Sequence, residues 1–214
     1  MSAYYRFAIP AIITVCAEWA CVELVVIGAS YFSAAQLARQ AIVCTIMVMT
    51  FQVNDGLGFG TSPCIGNLIG AAKPHQARVT ADVPILVSFV IGIAGMLLLL
   101  LFGKQYLAIY TDDPVVVAKA IKLIPLISGF IVTDGLNSVL SAILRGLGRQ
   151  NASANSFLFG YYACAIPLGI YFGYIRQLET IGFWWGICTG SLVTCVFQIT
   201  YIYWTIDWKE EVHQ

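Results

Sequence analysis

The stretch IPAIITVCAEWACVELVVIGASYF, residues 9–32, indicates the fold class. It is apolar except for two carboxylates, Glu18 and Glu23, and it is long enough for a helix to cross a hydrocarbon core about 30 Å thick. The whole chain has the same character, because 59% of its 214 residues are hydrophobic and only 10% are charged. We therefore predict an all-α integral membrane protein.

Six apolar runs predict six membrane-spanning helices, at about 9–32, 39–62, 81–102, 115–140, 154–175 and 181–206. They form one predicted six-helix bundle over 1–208, followed by a short cytosolic tail, 209–214. Because an even number of spans returns the chain to the side where it started, both ends are expected on the same side of the membrane. Arg145, Arg149 and the charged tail indicate that this side is the cytosol. Asp112 or Asp113 before Pro114 predicts the start of the fourth helix.

Several function classes are excluded by composition. The 11 Lys and Arg balance the 11 Asp and Glu, so no basic footprint predicts a nucleic-acid partner. The two histidines, His75 and His213, fall outside the predicted spans, so we expect no metal, no cofactor and no intramembrane enzyme. A phosphate-binding G-x-x-x-x-G-K-[ST] loop is absent from the sequence, which argues against an ATP-driven pump.

Acidic residues inside the predicted spans are the informative set: Glu18, Glu23, Asp55 and Asp134. An acid at mid-membrane costs at least about 2 to 3 kcal/mol, so each is expected to face protein or water, with function as the default. Glu18 and Glu23 are five residues apart, about 140° around a helix, and cannot share one face. Glu18 and Asp134 fall at heights that differ by only about 6 Å in antiparallel spans. We expect these two to share a proton or a cation.

For other candidates, a structural role competes with a functional one. Glu23 is expected either in the site or supporting it, and Asp55, nearer a helix end, favours a structural role. Asp134 could alternatively cap a broken helix beside Gly135. Candidate cavity-lining residues are Trp19, Asp55, Asn137 and Tyr161, although aromatic residues in membrane proteins more often pack or mark interfaces.

Glycines four residues apart predict close helix packing, at Gly56 and Gly60, Gly169 and Gly173, and Gly186 and Gly190. The run GLGFG after Asn54 and Asp55 could instead mark a local helix irregularity that lines a cavity.

Six motifs in one order carry a family resemblance: AIPAIITVCAEW with the following VE, NLIGAAKPHQAR, TDG, RGLGRQ, IPLGIYFGY and GFWWG. They resemble the C-terminal half of a multidrug and toxic compound extrusion (MATE) transporter of the eukaryotic type. The resemblance covers nearly the whole chain. It implies one lobe of a twelve-helix fold, in which Glu18 and Asp134 are the proton-linked acids and Glu23 lies nearby.

The resemblance also implies an activity and partners. Family members export organic or xenobiotic compounds by antiport, here expected to exchange cationic or amphiphilic substrates for protons, with sodium less expected. The chain is expected among lipids of the plasma membrane or the vacuolar membrane. Asp55 departs from the family, which usually has a small polar residue there.

The six N-terminal helices of the family have no counterpart in the sequence. Because alternating access normally requires two lobes, we expect a homodimer, a separate N-terminal lobe, or a truncated product. The alternative function is a non-transporting membrane scaffold, or a half-transporter that needs its other lobe. A scaffold would tolerate loss of Glu18 and Asp134, whereas a transporter would not.

Overall fold

The computed structural model describes residues 2–31, 34–110 and 114–211. These residues are helical except for short turns, and six of their helices are long and apolar enough to cross a membrane. The seven helices of the described ranges are α1 Ser2–Ser30, α2 Ala34–Gly70, α3 Pro74–Tyr110, α4 Pro114–Ile121, α5 Ile124–Gly146, α6 Gln150–Ile175 and α7 Glu179–Thr205. The predicted all-α bundle of six spans is confirmed.

Helix α5 occupies the centre of the bundle. Of its spanning window 83% is buried, against 25% or less for α2 and α3, whose apolar residues face outward. An outward apolar surface is expected where lipid surrounds a bundle. Two apolar clusters fill the interior, one around Ile127, Phe130 and Trp184 and the other around Val139, Leu140 and Ile143.

The second and third helices are longer than predicted. The apolar runs at 39–62 and 81–102 lie inside helices of 37 residues each, and a helix of that length is about 55 Å long, more than a bilayer with its headgroups. Of the residues between these two apolar runs, only 71–73 form a turn, in which Ala72 has a φ of 58°. Pro74 begins α3, where its missing N–H costs nothing. The apolar run marks the hydrocarbon-spanning part of a helix and not its ends.

The predicted fourth helix, 115–140, is interrupted. Helix α4 ends at Ile121, a turn closes with a 2.9 Å bond from Leu123 N to Ala120 O, and α5 begins at Ile124. Pro125 explains the break, because it has no N–H to donate to the carbonyl of Ile121. Asp112 and Asp113, the predicted helix start, lie outside the described residues.

Glycines allow α6 and α7 to pack backbone to backbone. A methyl group added at Gly186 would lie 2.6 Å from Gly169 N, and one added at Gly190 would lie 2.5 Å from Gly160 O. Gly173 likewise faces Gly182. Helix α6 also contains wider π-helical turns at 158–165 and 171–175. The packing role predicted for the α6 and α7 pairs is thus observed, whereas Gly56 and Gly60 have no neighbour within 4 Å of an added methyl.

A buried hydrogen bond joins α2 to α7. Trp184 Nε1 donates to Gln40 Oε1 over 2.9 Å, and both side chains are fully buried. Replacing Gln40 with leucine leaves the indole N–H without that acceptor, so we expect unfolding free energy to fall by about 1 to 3 kcal/mol. Thermal unfolding in detergent measures the loss. Gln52→Leu, at an exposed position of α2, is the control and should change stability by no more than about 0.5 kcal/mol.

The tail contacts the loop that precedes α6. Arg149 donates from Nε and Nη2 to Glu211 Oε1 over 3.0 and 2.6 Å, and this carboxylate raises the pKa of the Arg149 guanidinium. The contact places the α5–α6 loop and the start of the tail at one end of the bundle. Residues 212–214 of the predicted tail lie outside the described residues.

Candidate functional site

A cavity of about 180 Å³ lies between α1, α2 and α5. Two of the residues that line it are acidic, and the others are apolar or aromatic: Trp19, Val22, Glu23, Val26, Ala41, Cys44, Met47, Val48, Phe51, Phe130 and Asp134. A mostly apolar wall with a few polar groups is typical of sites for small organic molecules. Because Trp19 is 41% exposed, the cavity reaches the surface of the lobe.

Asp134 and Glu23 meet at this cavity although 111 positions separate them in the sequence. Asp134 is 6% exposed and sits within the unbroken helix α5, so it does not cap a broken helix. Glu23 lies on the opposite wall, on α1, and is exposed. Carboxylates at a mostly apolar cavity can attract a positively charged ligand, because a nearby cation favours the charged form of a carboxyl group.

Glu18 lies on α1, one helical turn before the cavity-lining Val22. Its side chain falls outside the part of the chain that the structure describes. The pairing of Glu18 with Asp134 stays a prediction.

Aromatic contacts shape the cavity wall. Trp19 meets Phe51 edge to face, with ring centroids 6.4 Å apart, which joins α1 to α2. Phe130 packs edge to face on Trp184 at 5.7 Å, and Trp184 is held by its hydrogen bond to Gln40. The α5 side of the wall is therefore fixed by an indole that cannot rotate without losing that bond.

Asn54 holds three helices together next to Asp134. Ser88 Oγ on α3 donates to Asn54 Oδ1 over 2.8 Å, and both groups are buried. On α5, Gly135 packs so closely that an added methyl would lie 2.6 Å from Asn54 Nδ2. The run after Asn54 is not a helix irregularity, since α2 continues unbroken to Gly70.

A methyl group at Gly135 should disturb this arrangement. We expect Gly135→Ala to displace the Asn54 amide and reduce unfolding free energy by about 1 to 3 kcal/mol. Gly129→Ala, on the same helix with no neighbour within 4 Å of the added methyl, is the control. Equal melting temperatures for the two variants would contradict the contact.

Three of the candidate cavity-lining residues lie elsewhere. Asp55 accepts a 3.3 Å hydrogen bond from Ser138 Oγ, and Asn137 donates to Ser191 on α7. Tyr161 is fully buried and stacks on Phe157, with centroids 5.6 Å apart. These three side chains lie on faces of α2, α5 and α6 that pack against neighbouring helices. Of the four candidates, Trp19 lies at the cavity wall.

Most of the apolar residues that line the cavity are not among the candidates from the sequence. Cys44, Met47 and Phe51 follow one another at intervals of three and four, which places them on one face of α2. Trp19, Glu23 and Val26 do the same on α1. The spacing around Glu23 could have indicated the α1 residues, whereas the α2 face could not be identified without knowing which helices adjoin.

Comparison with known proteins gives a consistent set of relatives. A family model described as MatE matches residues 10–171. Multidrug and toxin extrusion protein 1 of Xenopus tropicalis is 30% identical over 207 residues, covering 97% of this chain and 36% of that protein. Multidrug and toxin extrusion protein 2 of Homo sapiens is 29% identical over 215 residues, covering 96% of this chain and 34% of that protein.

Solved structures agree. The eukaryotic MATE transporter AtDTX14 superposes with a TM-score of 0.93 at 25% identity, covering all of this chain and 48% of that chain. An outward-facing multidrug resistance MATE family transporter superposes with a TM-score of 0.84 at 21% identity, which shows the fold alone. The chain thus spans about a third of the length of the curated relatives and about half of the solved structures. These matches confirm the resemblance, and the chain belongs to the MatE family, as a multi-pass membrane protein of the eukaryotic type.

Proposed function

We propose that the chain is one lobe of a transporter that exports small organic or xenobiotic compounds in exchange for protons, in the plasma or vacuolar membrane. The observation that supports this most directly is the mostly apolar cavity that Glu23, Asp134 and Trp19 line together. Carboxylates attract a cation, and an indole face binds both flat rings and positive charge. The expected substrates are therefore small organic cations with apolar surface.

Proton entry and substrate export are coupled because a proton and the substrate cation compete for the same carboxylates. A proton on Asp134 or Glu23 removes the negative charge that holds a cation, and a bound cation disfavours protonation. If the cavity opens alternately to the two sides, a proton entering from one side displaces substrate toward the other. The driving force is about 1.4 kcal/mol per pH unit and about 2.3 kcal/mol per charge per 100 mV. Glu18 is proposed as a third member of this acid set.

A central transport site needs a wall from a second lobe. The rocking motion that opens the site to each side in turn needs that lobe as well. Alternating access in secondary transporters moves one repeat against the other around a central site. We propose that a separate N-terminal lobe, or a second copy of this chain, supplies it. A membrane scaffold is the alternative, and it predicts that the acids are dispensable.

Efflux from vesicles tests this proposal. Vesicles carrying the chain alone, or the chain with an N-terminal half from a MATE relative, are loaded with a fluorescent organic cation and given a pH gradient. We expect gradient-driven efflux in at least one preparation, and efflux at the rate of protein-free vesicles for Glu18→Gln and Glu23→Gln. Glu210→Gln, an exposed acid of the tail, is the matched control and should retain the wild-type rate.

Three results would contradict the proposal. Efflux that persists in both Glu18→Gln and Glu23→Gln would show that transport does not depend on these acids. Efflux driven by a sodium gradient at constant pH would show that sodium, and not the proton, is the coupled ion. Absence of both efflux and cation binding in every preparation would favour the scaffold.

A further inference from the structure

A seam of polar side chains crosses the apolar interior where α5, α6 and α7 meet. Its members, all buried except the partly buried Thr133, are Thr133, Asn137, Ser141, Ser153, Ser156, Ser191, Thr194 and Gln198. They form two hydrogen-bonded groups, one around Asn137 and one around Gln198. In each group, the direction of the hydrogen bonds fixes which way the amide faces.

The first group contains Asn137, Ser191 and Thr133. Asn137 Nδ2 donates to both the backbone carbonyl and the hydroxyl of Ser191, each over 3.0 Å, and Ser191 Oγ donates to Thr133 Oγ1 over 2.9 Å. A carbonyl oxygen can only accept, so the amide nitrogen of Asn137 must face Ser191. Asn137 Oδ1 therefore points away from these partners.

The second group is fixed in the same manner. Ser156 Oγ donates to Ser153 O over 2.7 Å, so toward Gln198 it can only accept, and Gln198 Nε2 lies 2.9 Å away. Gln198 Nε2 also reaches Ser141 Oγ at 3.2 Å, which accepts from Ser153 Oγ at 3.0 Å. The nitrogen side of the Gln198 amide is thus committed, and Gln198 Oε1 faces the other way.

Both amide oxygens are buried acceptors with no donor among the residues that the structure describes. Asn137 and Gln198 are 0% exposed, and leaving a buried acceptor unpaired costs about 1 to 3 kcal/mol. Packing between helices does not account for such a cost, because interhelical polar contacts stabilise by pairing. A water molecule has two O–H donors and meets the need of two acceptors.

The two groups are neighbours along α5 and α7. Asn137 and Ser141, one from each group, are one turn apart on α5, a rise of about 6 Å. On α7, Ser191 and Gln198 are two turns apart on the same face. The two groups are therefore separated by one to two helical turns, about 6 to 10 Å along the helix axes.

Each end of the seam is next to a cavity. At the loop end, buried Gln150 lines a cavity of about 620 Å³ with Arg149 and Glu211, and Ser153 is three residues further along α6. At the other end, Asn137 is three residues after Asp134, which lines the candidate site. Residues three apart on a helix are neighbours, about 5 to 6 Å between Cβ atoms.

We propose that the seam binds ordered water at Asn137 Oδ1 and Gln198 Oε1, and that this water gives Asp134 a proton route to the loop-end cavity. The second part rests on the proposed function. The Asp134 carboxylic acid donates its proton to a seam water as that water donates one of its own onward. One proton leaves to the cavity, a carboxylate remains, and every relaying water or hydroxyl is restored. The two amides orient water and carry no proton.

An experimental structure of the full chain in lipid nanodiscs, at a resolution that shows ordered water, tests the binding site without any variant. In sodium-free buffer we expect density within about 2.7 to 3.2 Å of both amide oxygens. A dry seam, or amides rotated onto protein donors, would overturn the proposal. Density that requires sodium would overturn it as well. Because no transport is needed, this result is independent of the proposed function.

The proton route is tested with Gln198→Leu, which removes one end of the water site. We expect the initial rate of pH-driven efflux to fall about tenfold with cation affinity unchanged. Ser128→Ala is the control, because this buried hydroxyl of α5 donates to its own helix at Ile124 O over 2.7 Å, outside the seam. An unchanged rate in folded Gln198→Leu would refute the route. If the wild-type protein does not transport, the proton route is rejected together with the proposed function. The water site is then tested by the nanodisc structure alone.

Discussion

Replacing Asp134 with asparagine is expected to weaken the pH dependence of organic-cation binding and to abolish pH-driven efflux. The amide has nearly the shape of the carboxylate but can neither lose a proton nor carry the charge that attracts a cation. A hydrogen bond to a charged group contributes about 1.5 to 3 kcal/mol, so affinity at alkaline pH should fall about tenfold to 150-fold. Fluorescence titration of a planar organic cation at acidic and alkaline pH measures both effects.

Asp55→Asn is the matched control for this variant. Asp55 is also an intramembrane acid, but it bonds to Ser138 and does not line the cavity. Binding to Asp55→Asn should keep the wild-type pH dependence. If Asp134→Asn binds the cation as wild type does, or if Asp55→Asn loses the same dependence, the assignment of coupling to this cavity is wrong.

Replacing Gly186 with alanine is expected to cause the largest loss of stability among the variants considered. The new methyl group would meet the backbone of α6 at Gly169 N and Ala165 O, and backbone cannot move aside as a flexible side chain can. Overpacking costs about 1 to 3 kcal/mol and occasionally more, and we expect about 3 kcal/mol here. For a chain of this size, that corresponds to a fall in melting temperature of about 6 to 12 °C.

Gly56→Ala is the control for the packing prediction. Nothing lies within 4 Å of a methyl group added at Gly56. Because alanine favours a helix by up to about 1 kcal/mol over glycine, this variant should be unchanged or slightly more stable. A Gly186→Ala protein that melts at the wild-type temperature would contradict the close approach of α6 and α7.

The membrane class and the six spans could be predicted from the sequence because apolar length reflects the bilayer directly. The ends of the helices could not be predicted, because α2 and α3 continue through polar residues that water and headgroups accommodate. The break before α5 has a local signal, Pro125, which a window of apolar residues does not register.

Of the residues that line the candidate site, the sequence predicts the two acids and Trp19. Intramembrane carboxylates are costly enough to mark Glu23 and Asp134 from sequence alone. Their meeting at one cavity depends on how α1, α2 and α5 pack, and so do the wall residues Met47 and Phe130. The seam was not predicted, because serine and glutamine in an apolar run show their partners only once three helices are in place.

Protons and an organic cation are expected to exclude one another at the cavity of Glu23 and Asp134. Proton release on cation binding, recorded in weakly buffered solution with the purified chain, tests it without needing a second lobe. We predict about one proton released per cation bound near the midpoint of the pH dependence, and a smaller release for Asp134→Asn. Cation binding that releases no proton at any pH would contradict it.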